Sequence, residues 1–209
     1  MRQIADHWKD YECIDAGNGE KLERWGEIVL RRPDPQAVWP ITDEHGMWKK
    51  PHAHYHRSKA GGGEWEFKKK FPEVWTIGFN ELTFKVSPTG FKHTGLFPEQ
   101  AVNWEWMQGK KRNAKREIRV LNLFAYTGGA TMACASADAS EVVHVDASKG
   151  MIQWAKENQA LCHLENAKIR YILDDVMKFI AREERRGRTY HAIIMDPPSY
   201  GRGPNGEIW

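Results

Sequence analysis

Three polar junctions within residues 120–200 hold the side chains best suited to chemistry: a glycine turn in LNLFAYTGGA, a carboxylate in VVHVDAS and an Asp-Pro-Pro in IIMDPPSY, with an acidic LDDV between the last two. Thr127, Gly128 and Gly129 would let the backbone approach a ligand where a strand turns into a helix, although such a turn is also an ordinary connection. Asp146 follows about 20 residues later, at the end of the next strand, where a carboxylate can accept hydrogen bonds from both hydroxyls of a ribose or simply enter the helix at Ser148 as a cap. In the pair Asp174-Asp175, Asp175 is the better placed to take the amino group of an adenine. Both residues would equally favour the N-terminus of the following helix through its dipole. In Asp196-Pro197-Pro198 the prolines fix the chain direction and remove two N–H donors. The carboxylate and carbonyls are then available to a nucleobase amino or imino group, and Tyr200 offers a ring for stacking. The plain alternative is a rigid surface turn.

These junctions need strands that end beside one another. Val120–Phe124, Val142–Val145, Ile169–Leu173 and Ala192–Met195 are short apolar runs. Helical patterns separate them at Ala130–Ala137, at Ser148–Leu161 with Ser148 as N-cap, and from Val176 to near Gly187. Repeated βαβ units imply an α/β fold with a parallel sheet and helices on both faces. Open sheets of this kind bind ligands beyond the carboxyl ends of their strands, where the three junctions fall.

Before residue 100 the pattern is mostly short strands and turns. Leu82–Val86 alternates strictly, and the run Val74–Phe79 pairs with it as a hairpin across Asn80-Glu81. From Thr42 to Gly63, four histidines, several lysines and a Gly61-Gly62-Gly63 run predict a mobile loop. His52, His54 and His56 alternate as metal ligands on one strand face would, but no carboxylate or cysteine pattern stands beside them. A solvated basic loop is therefore expected there, and no metal. Lys110–Arg119 reads as a basic connector; with Lys68–Lys70 it is suited to phosphate contact, and Trp65, Trp104 and Trp106 to packing or stacking.

The formal charge of +3 permits a nucleic-acid partner without requiring one. Three widely spaced cysteines form neither a disulfide framework nor a metal motif, which suits a reduced, cytoplasmic setting. The N-terminus has no apolar signal core, and no membrane-length apolar segment is found. Oligomeric state is not legible.

The motifs LNLFAYTGGA, VDAS, DDV and DPPSY resemble those of class I S-adenosylmethionine-dependent methyltransferases, in particular bacterial large-subunit (23S) ribosomal RNA methyltransferases. HTGLFPEQ, residues 93–100, is similar to a short element ahead of that family's core, with only Gln100 carrying over. The resemblance implies a Rossmann-like methyltransferase core at 92–209 behind a β-rich accessory domain at 1–91. It implies that S-adenosylmethionine lies over Phe124, Ala125, Tyr126, Thr127, Gly128 and Gly129. Asp146 and Ala147 would serve its ribose, Asp175 and Val176 its adenine, and Gln100 would add a further contact. Asp196, Pro197, Pro198 and Tyr200 would face the acceptor, a base in ribosomal RNA. None of Cys13, Cys134 and Cys162 sits beside DPPSY to act as a nucleophile. Only the first four strands of the family's sheet are read, so a C-terminally truncated core is expected. Two other functions fit the same residues: a non-catalytic RNA-binding remnant, and an NAD-dependent dehydrogenase using the glycine turn and Asp146.

Overall fold

The computed structural model describes residues 4–42, 46–58, 62–113 and 116–198. By backbone contacts the chain divides into two compact units, Met1–Ala101 and Val102–Trp209.

The N-terminal unit is built on β1 (Tyr11–Gly17), β2 (Glu20–Trp25), β3 (Ile28–Pro33), β4 (Ala53–Arg57) and β5 (Gly63–Phe67), adjacent in that order in one sheet. All neighbours are antiparallel except β3 and β4. A second, two-stranded sheet joins β6 (Trp75–Phe79) to β7 (Leu82–Val86), with Phe79 opposite Leu82 across the Asn80-Glu81 turn. Leu22, Trp25, Leu30, Ile77, Phe79, Leu82, Phe84 and Val86 are all buried. Charge is buried with them. Arg32 donates from Nε and Nη2 to the two oxygens of Glu23 at 2.6 and 2.8 Å, and the Tyr11 hydroxyl donates to the same carboxylate at 2.8 Å.

The described residues of 42–63, where the composition predicts a mobile loop, include regular elements. They contain a 3-10 turn at Met47–Lys49 and the whole of β4. Pairing with β3 and β5 supplies the backbone order that the histidine-rich sequence does not advertise, because a strand held on both edges does not depend on its own apolar period.

The C-terminal unit opens with α1 (Ala101–Arg112), whose last turn lies in the stretch read from sequence as a basic connector. Four parallel strands follow, β8 (Arg119–Leu123), β9 (Glu141–Asp146), β10 (Ile169–Leu173) and β11 (Ala192–Met195), in the order β10-β9-β8-β11. Between them run α2 (Gly129–Ser136), α3 (Lys149–Leu161) and α4 (Val176–Arg185). Strand alternation divides the apolar residues. Leu121, Leu123, Val143 and Val145 pack with Val176 and Phe179 of α4 on one face, and Val120 and Val142 with Cys134 and Ala135 of α2 on the other. This is the Rossmann-like arrangement, with a β-rich region ahead of it. At the sheet edge formed by β11, Ile193 and Met195 are 61% and 64% exposed. Among the described residues, no helix is long and apolar enough to cross a membrane.

Candidate cofactor and active site

Parallel register brings the predicted junctions to one end of the C-terminal sheet. Leu123 lies opposite Val145, Leu173 opposite Asp146, and Met195 opposite Leu123. The chain therefore leaves β8, β9, β10 and β11 at neighbouring points, carrying Phe124–Gly129, Asp146, Asp174-Asp175 and Asp196-Pro197-Pro198 respectively.

The loop after β8 is conformationally unusual. Phe124, Tyr126 and Gly128 adopt left-handed backbone conformations, with φ of 53°, 51° and 86°. For the two aromatic residues this costs on the order of 1–2 kcal/mol each, so the surroundings must enforce it. The Ala125 N–H donates to the Val145 carbonyl at 3.0 Å, the Tyr126 N–H to Asp146 Oδ2 at 2.8 Å, and Asn158 Nδ2 to the Thr127 carbonyl at 2.9 Å.

A buried polar chain lies beneath the loop. Asn122 Nδ2 donates to Thr131 Oγ1 at 2.9 Å, and Thr131 Oγ1 is 2.9 Å from His144 Nδ1. While its oxygen accepts from Asn122, the Thr131 O–H can donate to Nδ1 of a neutral His144 imidazole. Burial favours that neutral form and pushes the His144 pKa down to about 3. Asn122, Thr131, His144 and Asn158 were not anticipated as part of the site. Their signal was present in the strands: Asn122 and His144 are single polar residues within apolar runs, and the register sets them side by side.

The two glycines prove to face protein. A side chain on Gly129 would come within 2.7 Å of the buried Trp104 ring of α1, and one on Gly128 within 3.2 Å of Ala155 and 3.3 Å of Met132. Their small size first serves close packing of α1 and α3 against the start of α2. The sequence had suggested clearance for a ligand.

Asp146 is partly buried at the end of β9. Its Oδ2 accepts from Tyr126 and its Oδ1 from the Ser148 N–H at 2.8 Å, so one carboxylate ties the glycine loop to the entry of α3. Burial raises its pKa, and the two backbone hydrogen bonds oppose that rise. Ser148 caps α3 through Met151, and Ala147 is exposed beside it. Asp174 forms an ion pair with Arg182 and accepts from the Asp175 N–H. Asp175 is exposed and caps α4, accepting from the Lys178 N–H at 2.9 Å. The side chain of Val176 belongs to the core, which leaves its backbone to any ligand. Asp196, Pro197 and Pro198 are exposed just past β11, and Tyr200 lies outside the described residues. Gln100 ends a 3-10 turn, Pro98–Gln100, in the N-terminal unit. Cys134 is buried in α2 with its thiol pushed up to about 12 by desolvation, and Cys162 is buried at the end of α3.

A glycine loop, an acid at the next strand end and Asp-Pro-Pro at the fourth thus share one end of a parallel sheet. Residues 46–206 match the S-adenosylmethionine-dependent methyltransferase family. The chain belongs to that family. A ribosomal RNA large subunit methyltransferase K/L from Shewanella frigidimarina is 38% identical over 124 residues, covering 59% of this chain and 17% of that protein. A ribosomal RNA large subunit methyltransferase I from Cronobacter sakazakii is 30% identical over 129 residues, covering 62% of this chain and 32% of that protein. The chain thus spans only a minor part of the length of these curated relatives. The crystal structure of an S-adenosylmethionine-dependent methyltransferase from Agrobacterium tumefaciens is 47% identical with a TM-score of 0.89, over 97% of this chain and 64% of that one.

The residues present in this methyltransferase-family chain fit the family's cofactor. A carboxylate has about four acceptor positions, and Asp146 commits two of them to backbone N–H groups. Two are left for the paired hydroxyls of a ribose. The loop that the same carboxylate braces stands directly beyond β8, where an open sheet receives a ligand.

Proposed function

We propose that this chain forms the S-adenosylmethionine-binding core of a methyltransferase acting on a base in ribosomal RNA in the cytoplasm. Asp146 carries the reading. It braces the left-handed loop through Tyr126 and retains acceptor positions for a ribose diol. Backbone groups of Phe124–Gly129 would line the donor, with Asp146 and Ala147 at the ribose and Asp175 and Val176 at the adenine. When bound, the cofactor supplies a sulfonium methyl group open to in-line attack. The protein's part is to hold the acceptor on that line and to exclude water. Asp196 and the carbonyls of Pro197 and Pro198 would accept hydrogen bonds from the amino or imino edge of the base, with Tyr200 stacking on its ring. The RNA substrates named for the two curated relatives support the acceptor class.

Calorimetric titration of the chain with S-adenosylhomocysteine and with NAD tests the reading. Saturable binding of S-adenosylhomocysteine is expected. Asp146→Asn should weaken it roughly a hundredfold or more, because each hydrogen bond to a charged acceptor is worth about 1.5–3 kcal/mol. Binding should also fall as pH drops through the raised pKa of Asp146, since the protonated acid loses acceptor capacity. Tighter binding of NAD would overturn the assignment. Methyl transfer to ribosomal RNA, followed with labelled donor, tests the acceptor; RNA binding without transfer, unchanged by Asp146→Asn, would count against catalysis.

A further inference from the structure

The N-terminal unit gathers a second group of chemically capable side chains. His54 and His56 lie on one face of β4 with ring centroids 3.9 Å apart, and the antiparallel partner strand β5 sets Glu66 opposite His54. One ring nitrogen of each histidine and a carboxylate oxygen of Glu66 all lie within 4.8 Å of one another. In sequence, ten residues separate Glu66 from His56, and no local motif joins them.

We propose that His54, His56 and Glu66 form a binding site for a divalent transition metal of the zinc class. Two imidazoles and one carboxylate are a donor set that such ions accept, at bond lengths of about 2.0–2.2 Å. Tetrahedral coordination needs donors about 3.4 Å apart. The side chains therefore close in by small rotations, with no change of strand register. Glu20 Oε1 lies 2.7 Å from Nε2 of His54, and Glu20 is itself ion-paired with Arg31. A carboxylate on the outer nitrogen is a common partner of a metal-bound histidine, and coordination through Nδ1 would retain it. Glu66 now holds His56 at 2.9 Å and Lys68 at 3.3 Å. On metal binding, the exposed Lys68 ammonium swings to solvent and His56 turns its nitrogen to the ion. Three protein donors leave a fourth position for water, and the ion clips β4 to β5.

His52 stands apart from this site, because its Nδ1 accepts the Val29 N–H at 3.0 Å. That difference supplies the control. The chain, stripped with a chelator, is titrated with Co²⁺ by absorption spectroscopy, and Zn²⁺ is then added as competitor. One saturable site per chain is expected. His56→Ala and Glu66→Gln should each weaken it at least about tenfold, and His52→Gln should leave it unchanged. The side chains of His56 and Glu66 are 48% and 50% exposed, so both replacements should fold. Independently, Zn²⁺ should shift the imidazole resonances of His54 and His56 and leave those of His52 in place. Unsaturable binding, affinity indifferent to both replacements, or unmoved His54 and His56 resonances would each overturn the site. None of these readouts involves S-adenosylhomocysteine or methyl transfer.

Discussion

Two buried polar clusters, one in each unit, are built differently. Around Glu23 in the N-terminal unit the buried polarity is charged and mutually neutralising. The Glu23 carboxylate takes two hydrogen bonds from Arg32 and one from Tyr11, with Lys21 at 3.3 Å. The Arg32 guanidinium also lies over the Trp25 ring and reaches the Lys92 carbonyl. In the C-terminal unit the polar residues beneath the glycine loop are neutral: Asn122, Thr131, His144 and Asn158. An ion pair of the first kind ties strands together and is costly to break, though weak as a net source of stability. A neutral chain of the second kind orders a loop without adding a fixed charge beneath it. That leaves the carboxylate of Asp146 to set the local electrostatics at the loop.

Arg32→Ala tests this contrast most severely. It leaves Glu23 buried without its guanidinium, and about 3–5 kcal/mol of stability should be lost. Urea denaturation would measure the loss, with hydrogen exchange locating it in β2 and β3. A cost below about 1 kcal/mol, the level of an exposed pair, would show that water reaches the carboxylate and would dissolve the distinction. Acid should act on the same pair. The arginine and its hydrogen bonds hold the Glu23 pKa below the ordinary carboxylate value against the cost of burial. Its contribution is therefore complete above that ordinary value and is lost as pH falls through the depressed one.

Thr131→Val should cost less, about 1–3 kcal/mol, by leaving Asn122 Nδ2 and His144 Nδ1 without their shared partner. Exchange should quicken at the Ala125 and Tyr126 amides before it changes in the N-terminal unit. Equal loosening of both units would mean that the polar chain serves general packing and has no special bearing on the loop.

The effect that is smallest at neutral pH is a titration. With its pKa at about 3, His144 should keep neutral imidazole resonances down to that pH. The unfolded chain takes up the proton near the ordinary value of about 6.5, so this group's contribution is intact above that pH and declines as pH falls from there toward 3. A normal midpoint in the NMR titration would place His144 in contact with solvent.

Much of the fold was legible. The strands β7, β10 and β11 have the bounds that alternation and short apolar runs predict, and Ser148 caps α3 as its position before the helical period suggests. α1 was not legible. Its buried side chains include Trp104 and Gln108, while Trp106 is 58% exposed, so apolar type does not follow its inner face. β4 was missed, although Ala53 and Tyr55 alternate with His54 and His56, because the surrounding histidines, lysines and glycines gave the segment the composition of a loop. The polar junctions themselves were read from residue type and spacing. The support beneath them was not, since Asn122, Thr131, His144 and Asn158 each look ordinary until they are brought together.

The sequence by itself determined the alternation of strands and helices from β8 to β11 and the residues at each of those strand ends. Those properties depend on local backbone preference and on the period with which apolar residues recur. Only the tertiary structure decided which side chains meet. Asn122 reaches His144 through the pairing of β8 with β9, and Glu66 reaches His54 through the pairing of β4 with β5. Trp104 takes up the space that Gly129 leaves open. Each of these meetings follows from register and packing between segments distant in sequence. A shift of a single residue in either pairing would turn the side chains to the opposite face.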